Sequence, residues 1–412
     1  MKTIVILGTL DTKGQQIEFI SNEIRKRGCD VLIMDMSTGA ESSFAADITS
    51  GEIARAAKAS IEVIRASKDR NMIRELIING AIKKAQQLLS SGKLDGLLAL
   101  GGYSAAAICT KVMKSLPFGI PKLMITSAAG MPDTGTWIGT SDIIMFNAVV
   151  DLVGINEMVK NVLSRAAHAI CGMVDMPTGN LKDMLSTREP LVAVTEWGAS
   201  EKCGKYICAH LEKKGYKHIV FHAQGVGDRA MEELIAQGFF EGVVDVVTGG
   251  IIDELIEGRR AAGPERLESA GKRGIPQVIA PSGLNITGAG PTRKNREKYI
   301  SREKVLKLDE LRIFVRLNED ELILGAQTVA DKLNKSKGLV QFFAPLRGWS
   351  SWDSEDGVLY DPKLDRIFIE ELKKKLRANI KVAEIDVNLE DASFAEAMVD
   401  AFDMMMKKKS KL

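Results

Sequence analysis

The segment Gly8-Thr9-Leu10-Asp11-Thr12-Lys13-Gly14 stands between a short apolar run and a helical pattern. Its residue types suit a phosphate. Glycines let the backbone approach closely, two threonine hydroxyls and the free N–H groups of a helix start converge, and Lys13 adds a point charge. Asp11 could hold, through water, the Mg²⁺ that a nucleotide brings. The segment is neither a Walker A loop, since Gly-Lys-Ser/Thr is missing, nor a GxGxxG turn. An equally weighted reading makes Asp11 or Thr12 a helix cap and leaves Lys13 in solvent. A second strand-to-helix turn, Gly101-Gly102-Tyr103-Ser104, offers another anion site or a tight turn. The third is the long, hydroxyl-rich run from Thr126 to Asp142, which includes Ser127 and Gly130. A loop of that length inside a compact domain is usually functional. Trp137 within it would cover a ring or simply pack.

The second half carries His222-Ala223-Gln224-Gly225-Val226-Gly227-Asp228-Arg229 after an apolar run. His222, Gln224 and Arg229 are the candidates there for acid–base or hydrogen-bonding work. A histidine at a strand end is more often structural. Small-residue turns at Thr248-Gly249-Gly250, Pro281 to Asn285 and Pro345 to Ser350 follow other runs and suggest a second pocket. No Ser–His–Asp, Cys–His or paired-carboxylate arrangement can be assembled. Cys203 and Cys208 with His210, His218 and His222 fit no standard zinc spacing, so no metal site is expected. Five cysteines form no disulfide framework and point to a reducing compartment, the cytoplasm.

The elements that must hold these loops alternate strand and helix. Apolar runs read as strands at 3–7, 31–36, 94–100 and 122–126, and again at 191–195, 218–222, 243–247, 277–280, 311–315, 339–343 and 381–387. Most are apolar throughout, the pattern of strands covered on both faces in a parallel sheet. Helix starts are marked by Thr12 with Gln15, Thr49 with Glu52 and Asn318 with Glu321, all with capping-box spacing, and by Asp361-Pro362. The stretch from Met176 to Pro190, with two prolines and a Thr-Gly-Asn turn, reads as a linker. The expected division is therefore a lobe over 1–176, a linker over 177–190 and a lobe over 191–412. At roughly 150 residues per domain, 412 residues agree with two such lobes.

Composition narrows the function classes. Apolar residues make up 45% and charged residues 27%, the balance of a globular protein. With 56 basic and 54 acidic residues the net charge is +2, so nucleic acid is not an expected partner. The one basic run, Lys407 to Lys411, reads as a helix end. No uncharged apolar stretch of about 20 residues occurs, and no membrane partner is expected.

The motifs GTLDTKG (8–14), GG (101–102), the run from Thr126 through IGTSDI (138–143), VVDLVGIN (149–156), LSRAAHAICGM (163–173), FHAQGVGDRAMEELI (221–235) and AGPERL with GIPQV (262–278) are specific jointly. Together they resemble the uncharacterised bacterial and fungal family that includes the ATP-binding N-terminal domain of the tomato mosaic virus resistance protein. The resemblance spans essentially the whole chain. It implies two Rossmann-like α/β subdomains with a nucleotide bound by the first. In the plant protein that domain inhibits the viral replication protein. The chain departs from the family pattern in its second lobe, with His-Ala-Gln-Gly for His-Ala-Thr-Gly at 222–225, Val-Thr-Gly-Gly for a threonine run at 247–250, Ser-Gly-Leu-Asn for Gly-Ala-Leu-Asp at 282–285, and Trp-Gly for a phenylalanine-glycine segment near 197.

The sequence thus points to an α/β protein with two doubly wound, Rossmann-like lobes and mainly parallel sheets. It reads as a cytoplasmic, homo-oligomeric ATP-binding protein. Phosphates would lie on Gly8, Thr9, Asp11, Thr12, Lys13 and Gly14 and on Gly101, Gly102 and Ser104, with the Thr126, Ser127 and Gly130 loop closing over the nucleoside. The cleft between lobes would take a second small ligand. Two alternatives stay open: an enzyme acting on a small organic acid or sugar derivative, and an interaction module that a nucleotide stabilises.

Overall fold

Successive side chains of a strand point to opposite faces, and in the inner strands here both faces are apolar and both are covered. In β1 (Thr3–Gly8) Ile4 and Ile6 join one core while Val5 and Leu7 join another. The computed structural model describes residues 1–39, 45–176, 189–289, 297–299, 301–310 and 312–409. Of the linker expected over 177–190, only Glu189 and Pro190 are among them. Leu311, the start of one expected strand, and Ser410 and Lys411 of the basic run also lie outside.

The chain divides into two compact units, Met1–Met184 and Leu185–Leu412. The first holds a five-stranded sheet in the order β2-β1-β3-β4-β5, with β2 Asp30–Asp35, β3 Gly96–Leu100, β4 Lys122–Thr126 and β5 Ile143–Asn147. Every pairing is parallel. The inner strands β3 and β4 are buried at every residue, whereas the edge strand β5 is exposed at Ile144 and Asn147. One face packs α1 (Leu10–Arg25) and α7 (Glu157–Asp175). The other packs α2 (Ser50–Ala56), α4 (Arg70–Ser90) and α5 (Tyr103–Lys114). Two short helices, α3 (Ile61–Ala66) and α6 (Thr134–Ile138), lie in the connections.

The second unit holds a six-stranded parallel sheet in the order β14-β13-β9-β8-β6-β7. Its strands are β6 Leu191–Glu196, β7 Lys217–His222, β8 Gly242–Val247, β9 Gln277–Ser282, β13 Val340–Pro345 and β14 Lys381–Ile385. Read from β7 inward, this repeats the order of the first unit with one more strand. Helices α8 (Glu201–Lys213) and α14 (Ala392–Lys409) cover one face. The other is covered by α9 (Val226–Gln237), α10 (Gly250–Leu255), α11 (Ser269–Arg273), α12 (Glu319–Asn334) and α13 (Pro362–Lys375).

Three expectations are corrected. The strand expected at 311–315 is not part of the parallel sheet. It is β12 (Ile313–Arg316), the middle of a small antiparallel sheet with β10 (Ile286–Ala289) and β11 (Val305–Lys307). β5, β10 and β11 are not among the expected strands: β5 opens with the short apolar run Ile143 to Phe146 directly after the hydroxyl-rich stretch, and β10 and β11 are two short pieces. Thr12 and Gln15 form no capping box. Helix α1 begins at Leu10, and Lys13 leaves the helical region at φ −127°, ψ 16°. The boxes at Thr49/Glu52 and Asn318/Glu321 form reciprocally, and Asp361 caps the helix that opens with Pro362.

A buried polar cluster ties β12 to α13. Arg316 donates to the Asp365 carboxylate, and its Nη1 lies 3.8 Å from Asp353. Asn285 donates to Asp353 at 2.7 Å and to Asp365 at 3.0 Å. Burial first, and the neighbouring Asp353 charge after the opposing pull of Arg316, push the Asp365 carboxyl up to about 7. Its Oδ2, buried without a partner, is the natural seat of the proton. Because the folded pKa exceeds the unfolded one, the native state holds more protons between about pH 4 and 7, and stability falls as pH rises through that window. Asp365→Asn carries no titrating proton. Relative to wild type it should gain stability from pH 4.5 to pH 8, by up to a few kcal/mol, since each tenfold change in proton affinity corresponds to roughly 1.4 kcal/mol. Urea unfolding at both pH values checks this, and parallel pH curves for the two proteins would refute it.

Candidate functional site

In an open parallel sheet the ligand crevice lies beyond the carboxyl ends of the strands, where connections diverge to opposite faces. In the first unit that point is between β1 and β3. A cavity of about 590 Å³ opens there, within the range of roughly 300–1,000 Å³ common for small-molecule sites. Gly8 and Thr9 line it from the end of β1, and Met36 and Thr38 from the end of β2. Ala105, Ile108 and Cys109 line it from α5. Ser67 and Lys68 come from the turn before α4, and Arg70, Ile73, Arg74 and Ile77 from α4 itself.

The wall has two characters. Ile73, Ile77, Ile108 and Met36 make it apolar on one side. Lys68, Arg70 and Arg74 bring three cations, and no carboxylate pairs with them among the described residues. Thr9, Thr38 and Ser67 add hydroxyls. The placement of Arg70 is unusual. It occupies the first turn of a helix that has no acidic residue there, where the helix dipole disfavours a cation. Asp69 caps that helix through the Asn71 and Met72 N–H groups, at 2.9 and 3.1 Å.

The sequence-derived candidates divide. Gly8 and Thr9 line the cavity. Gly8 also has a packing reason, since a Cβ there would lie 2.5 Å from Ile17 Cδ1. Asp11 joins two loops instead of facing the cavity: its N–H donates to Ser37 Oγ and its carboxylate accepts from the Gly39 N–H at 3.2 Å. Thr12 Oγ1 lies 2.6 Å from Thr9 Oγ1. Lys13 Nζ donates to the Leu152 carbonyl at 2.6 Å and is not among the lining residues. With Gln16, which donates to Gly154 O at 2.7 Å, it straps α1 to the segment after β5. Gly14 lies inside α1.

Gly101 and Gly102 make the turn from β3 into α5. A Cβ on Gly101, at φ +152°, would lie 2.4 Å from the Ala105 Cβ, so position 101 requires glycine, whereas Gly102 has open space around it. Ser104 is exposed and outside the lining. Thr126 is buried and accepts the Ala128 N–H at 3.1 Å, while Ser127 and Gly130 are exposed and off the cavity. That loop folds on itself through α6. Trp137 is buried in the core against Tyr103, ring centroids 5.0 Å apart, and so packs instead of covering a ligand.

In the second unit a cavity of about 380 Å³ gathers His222 and Gln224 with Gly198, Arg259, Arg260, Arg312, Phe314 and Trp352. Arg229 is not with them. Its Nε donates to Gly225 O at 3.1 Å. Among the described residues no three His, Cys, Asp or Glu side chains are arranged to hold a metal ion, and no helix is long and apolar enough to cross a membrane.

The family models for the uncharacterised protein family (UPF0261) match this chain, the N-terminal domain over residues 2–179 and the C-terminal domain over 189–406. A UPF0261 protein of Clostridium tetani is 35% identical over 408 residues, 99% of this chain and 100% of that one. The ToMV resistance protein Tm-1(GCR237) of Solanum lycopersicum is 31% identical over 97% of this chain and 55% of its own, so the chain spans about half the tomato protein. Among solved structures, a Methanocaldococcus jannaschii UDP-GlcNAc 2-epimerase in complex with UDP-GlcNAc and UDP covers 91% of this chain and 100% of its own at 12% identity. Its TM-score of 0.25 is too low to bear on the site. Matched in both halves and along its whole length, the chain belongs to the UPF0261 family.

Proposed function

We propose that the first unit is an ATP-binding module whose phosphates lie against Lys68, Arg70 and Arg74. The observation that carries this reading is the cavity at the β1–β3 divergence, which joins three cations to an apolar wall. Thr9, Thr38 and Ser67 supply hydroxyls for phosphate oxygens, and Ile73, Ile77 and Ile108 supply the surface on which a base packs. A nucleotide needs both, whereas inorganic phosphate needs only the first. The family resemblance read from the sequence points to the same ligand. Magnesium arrives with the nucleotide, since Asp11 is engaged with Gly39.

Binding to the folded state alone stabilises it. ATP with Mg²⁺ at 100 times its dissociation constant adds about 2.7 kcal/mol. Of the four tryptophans, only Trp137 lies in the first unit, so a variant keeping Trp137 alone reports that unit by fluorescence. The expected result is a rise of a few degrees in the first-unit transition, largest for ATP and smaller for AMP. No shift with ATP, ADP or AMP at millimolar concentration would overturn the proposal.

A further inference from the structure

We propose that the second unit carries a separate binding site for a small organic oxyanion, in the cavity of about 380 Å³ beside β6 and β7. The nucleotide reading is not a premise of this site.

Its position comes first. β6 and β7 hold the same places in their sheet as β1 and β2 hold in theirs. The cavity takes Gly198 from the chain after β6 and His222 and Gln224 from the chain after β7. It therefore lies beyond the carboxyl ends of β6 and β7, just as the first-unit cavity takes residues beyond the ends of β1 and β2.

The charge comes next. Three arginines line this cavity and no carboxylate does, among the described residues. Arg260 is only 2% exposed. Asp253 accepts from its Nε at 3.0 Å and its Nη2 at 3.3 Å, and the Gly283 and Ile286 carbonyls take the rest of Nη2. The guanidinium carbon sits 4.7 Å from the centroid of the Trp197 ring, which fixes its plane. Nη1 is left buried with no acceptor. A buried charged donor without a partner is costly, and an oxyanion at this cavity wall would supply one. Arg312 adds a second guanidinium from β12's approach, its Nε held by Asp309.

Part of the remaining wall is aromatic, beside Leu308 and Ile313. Phe314 and Trp352 pack at a centroid distance of 4.4 Å with their planes tilted by 47°, and both line the cavity. Arginines beside a ring floor select a carboxylate or phosphate ester with a flat or apolar body, and the Gln224 amide is placed to read a further polar group.

Calorimetric titration of the full chain with benzoate, phenyl phosphate and benzyl alcohol tests this. The three share a ring and differ in charge. The two anions should bind, with benzyl alcohol at least about tenfold weaker, and the tighter anion identifies the oxyanion as carboxylate or phosphate. Arg312→Ala and Gln224→Leu, both outside the core, should each weaken the anion by about tenfold. Arg260→Lys, which keeps the charge beside Asp253 but removes Nη1, should weaken it as much if it folds. Arg74→Glu, in the first-unit cavity, should remove at most a separate anion-binding event and leave the one that Arg312→Ala weakens. Absence of binding by either anion, equal affinity in Arg312→Ala, Gln224→Leu and wild type, or loss only in Arg74→Glu would overturn the proposal. None of these results depends on whether ATP binds.

Discussion

Arg74→Glu should weaken ATP binding by about a hundredfold or more. The substitution removes one of three cations from the first-unit cavity and puts a carboxylate beside the other two. A lost charge-assisted hydrogen bond alone corresponds to roughly ten- to a hundredfold in affinity, and repulsion of the polyphosphate adds to it. Arg74 is exposed, so salt screens part of the effect, and the loss should be largest at low ionic strength. AMP, with fewer charges, should lose less. Lys13→Ala is the matched control. Its Nζ is engaged with the Leu152 carbonyl, so this change should loosen the strap between α1 and the segment after β5 while leaving ATP affinity near wild type. Calorimetry on the three proteins decides. Equal ATP affinity in Arg74→Glu and wild type would remove the cavity from consideration, and a large loss in Lys13→Ala alone would move the phosphates onto the loop from Gly8 to Gly14.

Arg266→Met should destabilise the second unit by about 3–5 kcal/mol, the usual cost of leaving buried charge uncompensated. Arg266 is 1% exposed. Its two terminal nitrogens donate to both oxygens of Asp245 at 2.7 Å, and Nη1 also reaches Glu232 at 3.1 Å. Asp245 further accepts from Thr195 Oγ1 at 2.7 Å, and Thr195 Oγ1 in turn accepts the Val247 N–H at 2.9 Å, beside a register shift in the β8–β9 pairing. The network thus joins β6, β8, α9 and the segment before α11. Burial raises the Asp228 carboxyl against the pull of the same guanidinium, and Glu232 keeps the Leu267 and Ser269 N–H groups as partners, so the loss of Arg266 falls most heavily on Asp245, both of whose oxygens it holds. Trp197, Trp349 and Trp352 all lie in this unit, so their fluorescence during urea unfolding reports it. Asp245→Asn added to Arg266→Met should recover part of the loss, because it removes one stranded charge. A single mutant within about 1 kcal/mol of wild type would show that water reaches the site.

How much of this is legible in the sequence follows from where each signal resides. The inner strands announce themselves because both faces are buried, which leaves near-continuous apolar runs such as Leu97 to Leu100. β5 carries the same signal in Ile143 to Phe146, but the run is short and follows directly on the hydroxyl-rich stretch that ends at Asp142, which masks it. Gly8, Thr9, His222 and Gln224 stand out because small or polar residues just after a strand are a local pattern. Arg74 and Arg260 do not, since each reaches its cavity from an element distant in sequence. The cations at 68, 70 and 74 do leave one local trace, a helix whose first turn after the Asp69 cap holds a cation and no acidic residue. Lys13 reads as a free charge because its partner carbonyl is 139 residues away. Pairings at that range have no sequence period.

Helix α14 has a consequence for synthesis. Phe394, Met398, Phe402 and Met406 belong to the same core as Val244 and Val246 of β8. Gly242 opens that strand, and a Cβ on it would lie 2.4 Å from the Phe402 ring. A ribosome emits β8 long before α14, so the part of this face that α8 does not cover stands open while β9 through β14 are made. The first unit, whose sheet faces are covered by segments ending at Asp175, closes its cores much earlier. The two lobes share a strand order yet differ in how long translation leaves them exposed to aggregation or to a chaperone, a difference that protease resistance of ribosome-arrested chains reads directly.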